Sequence, residues 1–585
     1  MSPNTDASLP LIFAVTGHRD LREADLAGLK ATTVNLFREY QERYPHTRLR
    51  LLSGLAEGAD QLVAQAALAC GVELVAVLPV PRIEYEKDFD PAGIAVLHSF
   101  LERSVLTIEL PQDKLPENRY VPLAAYLADH CHILLALWNG KNNHEPGGTA
   151  NVVEFQLDGV PSRWGSHRGV LETPDFGAVF HVFAARDRHD REVTTKLPAP
   201  EVPCVQEAQR DYDILLPASW EGPKVRHTFG NFFGAAVASL DQFNVALADR
   251  LEPAEVKRNA GYLITPSQEG LLTPGLRKLW QWAAQADTLA QGYQTKAKRT
   301  VAALFLLAAA AFSMLSLFVD LNPLGAVIAT ALVLVLAGLA VSFWANRSSW
   351  NDRYIDSRAL AEGLRVQLYW RLAGVKQHVG DVYLQKYRGN LEWILMALRS
   401  ADLEAEEHGR KQPEPTEVHR DAATAGWVKD QAKYFARTTA TRERQGAFRS
   451  RVTGTLFALS LAAFLGILGL QVAHLLAGAS WNWQDFSAVM GSDAYFWLLF
   501  LFDLLLGLGT ALAGYAEVTG QEEEERQYRR MSQLFARGNQ LLERAGSQHP
   551  SEFQNILLAL GTEALAESGD WLAGKKANPI VMPLA

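Results

Sequence analysis

Two uninterrupted apolar runs separated by the break Asp-Leu-Asn-Pro constrain this chain more than any other feature. The first, 301–319, reads VAALFLLAAAAFSMLSLFV, and the second, 324–345, reads LGAVIATALVLVLAGLAVSFWA; neither contains a charge. A bilayer core of about 30 Å needs roughly 20 helical residues at about 1.5 Å each, so each run is long enough to cross. The four-residue break (320–323) has room only for a hairpin, which returns both outer ends to the same side. A second pair of apolar runs lies at 452–476 and 495–516. The expectation is an all-α membrane domain with four transmembrane helices in two hairpins. The residues before Val301 then form a domain beside a membrane.

At 585 residues the chain is too long for a single core. A formal charge of −9 argues against nucleic acid as a partner. Cys70, Cys131 and Cys204 are scattered without CxxC or Cys/His spacing, so no metal site is expected. The start, MSPNTDASLPLIFAVTG, has no basic leading segment and reads as a first strand.

In the N-terminal part, LIFAVTG, RLRLLSG, VELVAVLP, VLTIEL and HILLALWNG are apolar strand patterns separated by helical ones. This alternation predicts an α/β, Rossmann-like, doubly wound sheet, in which ligands sit at the carboxyl ends of the strands. Glycine-bearing turns fall at those ends: Gly17-His18-Arg19, then Ser53-Gly54-Leu55-Ala56-Glu57-Gly58-Ala59-Asp60, then Gly147-Gly148-Thr149. A glycine turn feeding a helix N-terminus presents unpaired N–H groups and a positive dipole end, which suits phosphate. The expected ligand is nucleotide-like. Arg19 could clamp a phosphate or pair with a surface carboxylate. Asp60 could accept from a ribose hydroxyl or cap the following helix at Gln61. Tyr85 and Trp138 are candidates to stack on a base, Trp138 the better placed, and His18 reads as a hydrogen-bonding turn residue. Beyond FHVFAARD (180–187), the stretch to 275 carries no assignable chemistry, and 251–275 reads as a linker.

VTGHRD, SGLAEGADQLVAQAAL and PGGTANVVE, in that order, resemble the SLOG superfamily, which groups the lonely-guy phosphoribohydrolases, the DNA-processing protein A fold and nucleotide-sensing domains of bacterial conflict systems. In the lonely-guy enzymes the last motif runs PGGxGT before a catalytic glutamate. Here the spacer and second glycine are missing, and Glu154 lies five residues after Thr149. The resemblance implies a nucleotide site that includes Glu154 and favours binding over catalysis, with no catalytic residue assigned. The alternative it implies is a membrane-tethered nucleotide phosphoribohydrolase.

The membrane half reads as a repeat of amphipathic helix, hairpin, amphipathic helix. Leu304-Phe305 matches Leu456-Phe457, and Phe312 matches Phe464. Lys296, Lys298 and Arg299 precede the first span; Arg347, Arg353 and Arg358 follow the second. Arg444, Arg449 and Arg451 precede the third, and Arg526, Arg529 and Arg530 follow the fourth, whereas neither connector holds Lys or Arg. The positive-inside rule then places both termini in the cytoplasm, with Trp481 and Trp483 as interfacial anchors. Asp503 is the only formal charge inside a span, and it is expected in a pore or bundle interior. Gly338 with Ser342, and Gly509 with Ala513, offer small faces for helix contact. These hairpins resemble SLATT domains, two-span effectors associated with SLOG sensors. The resemblance implies a homo-oligomeric, pore-forming effector in the bacterial cytoplasmic membrane, gated by a nucleotide-derived messenger in antiviral defence. The expected division is 1–250 sensor, 276–400 and 427–546 membrane units, 401–426 a linker and 547–585 a tail.

Overall fold

The computed structural model describes residues 8–112, 115, 118–142, 145–165, 177–187, 204–206, 211–216, 233–249, 251–321, 325–384, 391–405, 414–476, 493–546 and 548–577. Asn322, Pro323 and the connector carrying Trp481 and Trp483 lie outside these residues. Contacts divide the chain into two compact units. One comprises Met1–Leu289, Ala359–Gly426 and Ala545–Gly569; the other comprises Ala290–Arg358, Trp427–Arg544 and Asp570–Ala585.

The first unit is built on an eight-stranded sheet. Strands β1 (Leu11–Gly17), β2 (Leu49–Ser53), β3 (Glu73–Leu78), β4 (Leu106–Glu109), β5 (Ile133–Trp138) and β6 (Ala178–Phe183) are parallel. β7 (Cys204–Gln206) and β8 (Asp213–Leu215) add an antiparallel edge, giving the order β4-β3-β2-β1-β5-β6-β8-β7. β1 is apolar at every position but its end because both of its faces are covered. Phe13 packs on Phe37 and Tyr40 of α1 (Leu26–Arg43). Ile12 and Ala14 point to the other face, into a core shared with α5 (Val121–His130) and α6 (Thr149–Asp158). Helices α2 (Ala59–Ala69), α3 (Arg82–Tyr85) and α4 (Pro91–Arg103) complete the connections up to β4. The chain steps outward from β1 to β4 and then returns to place β5 on the other side of β1. The sheet is therefore Rossmann-like and doubly wound, with its switch point between β1 and β5.

The opposite ends of the strands are closed by residues from far along the chain. The helix Glu392–Ala405 is buried along its whole length. Its Ser400 Oγ donates to the Pro10 carbonyl at 2.6 Å. The His132 ring accepts from Ile12 N at 3.1 Å and donates to the Met396 carbonyl at 3.1 Å. Glu404 lies 2.6 Å from Arg50 and 2.9 Å from Lys278, while Arg48 takes Glu73 at 2.8 Å. We call this element the base helix.

Two stretches expected as linker and tail are packed helices. Within 251–275, Pro253–Leu263 is helical: Trp280 Nε1 donates to the Ala260 carbonyl at 2.9 Å, Asn259 to Thr288 at 2.9 Å, and the Tyr369 hydroxyl to the Leu263 carbonyl. Within 547–585, Pro550–Ala577 is helical, and Phe553, Leu557 and Leu565 are buried where Trp370 Nε1 donates to the Leu557 carbonyl at 3.1 Å. The expected 401–426 linker likewise begins inside the buried base helix and holds a second helix, Glu417–Ala423.

The second unit contains four helices long and apolar enough to cross a membrane. They belong to Pro274–Leu321, Gly325–Ser348, Asp430–Leu476 and Asp493–Val518, and Trp350–Ala373 and Gln521–Ala545 follow the two hairpins. The most apolar windows are only 6% to 22% buried within the chain, so most of their surface is left for lipid or further copies to cover. Phe305 and Phe312, seven residues apart on the first span, sit over Gly514 and Gly507, seven apart on the fourth. Phe457 of the third span lies over Gly509, and Phe464 of the third meets Phe502. The aromatics that recur between the two hairpins thus all pack against the fourth span. Gly509 makes a close contact as expected, whereas a Cβ at Gly338 would have no neighbour within 4 Å.

Candidate functional site

Three loops meet at the switch point. β1 ends at Gly17, where a Cβ would lie 2.4 Å from that of Ala59 and 2.6 Å from the Leu137 carbonyl oxygen. His18 N donates to Leu137 O at 3.1 Å, and the His18 ring accepts from Asn139 N at 3.1 Å, so the neutral imidazole locks the β1 turn to the end of β5. Farther along this loop Arg186 takes Asp20 at 2.8 Å, and Arg22 N donates to the Ala185 carbonyl at 3.2 Å, tying the loop to the end of β6. Arg19 lies between these ties, exposed, with its guanidinium carbon 5.4 Å from the centre of the Tyr120 ring. No carboxylate among the described residues pairs with it.

The second loop is clasped to the first. Gly58 has φ +84°, and a Cβ there would fall 2.3 Å from Arg19 O and 2.5 Å from His18 O. Only glycine permits that approach in that conformation. Ser53 Oγ accepts from Leu55 N at 3.1 Å, and the Gly54 carbonyl accepts from the buried Tyr85 hydroxyl at 2.8 Å. Asp60 is buried in the first turn of α2, where Oδ2 accepts from Ala56 N at 3.4 Å. Burial drives its pKa up to about 7 against the opposing pull of the Ala56 amide, Arg19 and the Gly54 amide. Asp60 therefore closes its own turn rather than capping the helix at Gln61.

The third loop enters through Gly147 (φ +74°), where a Cβ would lie 2.5 Å from the Tyr120 backbone carbon. Gly147 N donates to Asn151 Oδ1 at 3.0 Å, Gly148 is the N-cap of α6, and Thr149 is its first residue. The first-turn amides of α6 open beside this loop, the arrangement that suits an anion. Tyr120 joins the loops: its backbone carries Gly147, its ring faces Arg19, and its hydroxyl donates to Asp88 at 2.6 Å. Arg119 holds the same Asp88 at 3.1 Å.

Two expected site residues are placed elsewhere. Trp138 is 4% exposed; its indole donates to the Lys141 carbonyl at 3.0 Å and its ring lies against His181 within the α5–α6 core. Glu154 is on the exposed side of α6, while Ala150, Val153 and Leu157 face inward. Tyr85, the other stacking candidate, is buried beneath the Gly54 turn. Tyr120, Asp88 and Arg119 were not singled out from the sequence. Their signal is the Arg-Tyr pair directly before the helix start at Val121-Pro122.

No protein-family model matches the chain, and neither a curated protein nor a solved structure is significantly similar to it. The reading of the site thus rests on its geometry. That geometry gathers one guanidinium with no carboxylate ion pair among the described residues, a helix start and a half-buried aromatic at a sheet switch point. In the membrane half, Asp503 is half-buried on the helix face that carries Gly507 and Gly514, the face turned to the first span.

Proposed function

We propose that this is a ligand-gated membrane effector, in which the Rossmann-like sheet senses a nucleotide-derived signal and the two hairpins assemble in the bilayer and breach it. The observation that carries the reading is the juxtaposition of Arg19, Tyr120 and the start of α6 at the β1–β5 switch point, in a chain with four apolar spans. Arg19 and the α6 amides suit a phosphate, and the Tyr120 ring offers the only aromatic face that the loops leave partly open among those described at the site. The resemblance to SLOG sensors and SLATT hairpins supports the same division of labour and a setting in bacterial antiviral defence at the cytoplasmic membrane, and the Lys and Arg flanking the spans support both termini inside. The sparse burial of the spans supports a homo-oligomer. Gating is a population shift: the ligand acts by its greater affinity for the open arrangement. The phosphoribohydrolase alternative loses support because Glu154 lies on the outer side of α6.

The test uses the full chain purified in detergent. Small molecules released on denaturation are identified by mass spectrometry, with Gly148→Glu as the comparison. A carboxylate at this N-cap would occupy the anion's place. The wild type should release a nucleotide-derived compound and the folded variant none; equal release from both removes this turn from the site.

A further inference from the structure

The membrane unit contains a cavity that the proposed sensing does not use. It is an open cleft of about 1000 Å³ between the helices Asp430–Leu476, Asp493–Val518 and Gln521–Ala545. Its wall changes character along the helix axes. On the helix of the third span, Arg449 and Phe457 are eight residues apart and share a face; on that of the fourth, Glu517 and Ala513 are one turn apart. Glu523 and Arg526, one turn apart on the following helix, close the charged end. One end is therefore polar with both signs of charge, and the other is an aromatic and a methyl inside the apolar spans.

Several charges near this end are paired. Arg442 pairs with Glu524 at 2.6 Å, Arg529 with Glu443 at 3.0 Å, and Lys576 with Asp356 at 2.7 Å. Arg449, Arg526, Glu517 and Glu523 have no side-chain partner among the described residues. Two unmatched cations and two unmatched anions beside an apolar slot at the end of two spans fit one kind of molecule. It carries a phosphate, a primary ammonium and an acyl chain. We infer that this cavity is a binding site for a zwitterionic phospholipid of the phosphatidylethanolamine class. Arg449 and Arg526 receive the phosphate, Glu517 and Glu523 receive the ammonium, and the acyl chain follows Phe457 and Ala513 into the bilayer. A purely anionic headgroup would leave the two carboxylates against its own charge, and a trimethylated one has no N–H to donate to them.

The experiment follows thermal unfolding of the full-length protein in detergent with added dioleoyl phosphatidylethanolamine, phosphatidylcholine or phosphatidylglycerol. A ligand that binds the folded state raises the melting temperature in a saturable way. Phosphatidylethanolamine should do so at a concentration at least tenfold below the other two. Arg449→Gln with Arg526→Gln, and Glu517→Gln with Glu523→Gln, should each weaken half-saturation by tenfold or more, while Arg544→Gln, on the same helix outside the cavity, should not. The lipid-free melting temperature checks that each variant is folded, and Arg526→Gln alone replaces a pair that is not. Native mass spectrometry of the wild type from an equimolar lipid mixture gives an independent count of retained lipid. Equal responses to phosphatidylethanolamine and phosphatidylglycerol overturn the assignment, as does an unchanged response in both pairs of variants. If soluble glycerophosphoethanolamine matches the lipid at the same concentration, the site takes a free headgroup and the lipid assignment is wrong.

Discussion

The clasp between the first two site loops makes a quantitative prediction through Gly58→Ala. A side chain there meets two separate obstacles. The backbone at φ +84° and ψ −121° lies outside the left-handed helical well, in a region that glycine alone occupies freely, which disfavours any L-residue by roughly 1–3 kcal/mol. In addition, the new methyl would lie 2.3 Å from Arg19 O, so the β1 loop has to move, and forced overpacking costs roughly 1–3 kcal/mol more. Gly71 supplies the control. It has φ +72°, yet nothing lies within 4 Å of a Cβ built on it, so Gly71→Ala meets the backbone term alone. Native-state hydrogen exchange on the full chain reads the difference locally. Amides of β1 and β2 should exchange about 30-fold faster or more in Gly58→Ala, corresponding to roughly 2 kcal/mol or more. Gly71→Ala should change its own surroundings by about tenfold and leave the β1 loop unaltered. If the two substitutions give the same change, the close contact at Arg19 does not govern this loop, and the geometry of the site as described is wrong.

Burial, helped by the nearby Arg399, depresses the pKa of His132 to about 3, below its usual 6.5, so the unfolded chain takes up its proton first as pH falls. The stability held at this ring is complete above about pH 6.5 and declines toward pH 3, by about 2 kcal/mol at pH 5. Asp60 acts in the opposite sense, losing stability as pH rises from about 4 to 7, so denaturation of His132→Gln should be compared with wild type at each pH; identical slopes would refute the His132 assignment. Gly507→Leu should destabilise the membrane unit by about 1–3 kcal/mol, because its first side-chain carbon already falls 2.8 Å from Phe312. Phe312→Ala in the same molecule should recover part of that loss, and simple additivity in detergent unfolding would show that the two do not touch. Cysteines introduced at Asn322 and Ser480 should label with an impermeant reagent in intact spheroplasts, since neither connector carries Lys or Arg; labelling only after lysis would invert the topology.

The sheet and the spans were legible in the sequence because each is a continuous apolar signal of the right length. β1 announces burial on both faces, and 301–319 carries no charge. The glycines were legible as turns, but their reason was not: Gly58 and Gly147 are required by the backbones of Arg19 and Tyr120, and such contacts leave no local trace. Trp138 was misplaced because its position at a strand end was read without its parity. It shares a face with Leu134 and Ala136, and that face is covered by α5 and α6. Glu154 was misplaced by spacing alone, since α6 turns that position outward. The base helix could not be read from its own stretch, because Asp402 is held by Arg371 and His378 nearby while Ser400, Met396 and Glu404 meet Pro10, His132 and Arg50 far away in sequence.

That distance bears on how the protein is made. Pro10 and Ser400, joined by one hydrogen bond, are 390 positions apart. When β1 to β6 leave the ribosome, the residues that cover their amino ends have not been synthesised, and both spans of the first hairpin must be translated before they are. The sheet therefore waits, open at one end, while its own chain enters the membrane. Released alone, residues 1–250 would present uncovered apolar strand ends, and Arg50 would keep Glu73 but lose Glu404. The sheet-bearing unit can finish folding only in a molecule whose first hairpin has already been made, which leaves no ribosome product with a completed sheet and no apolar hairpin.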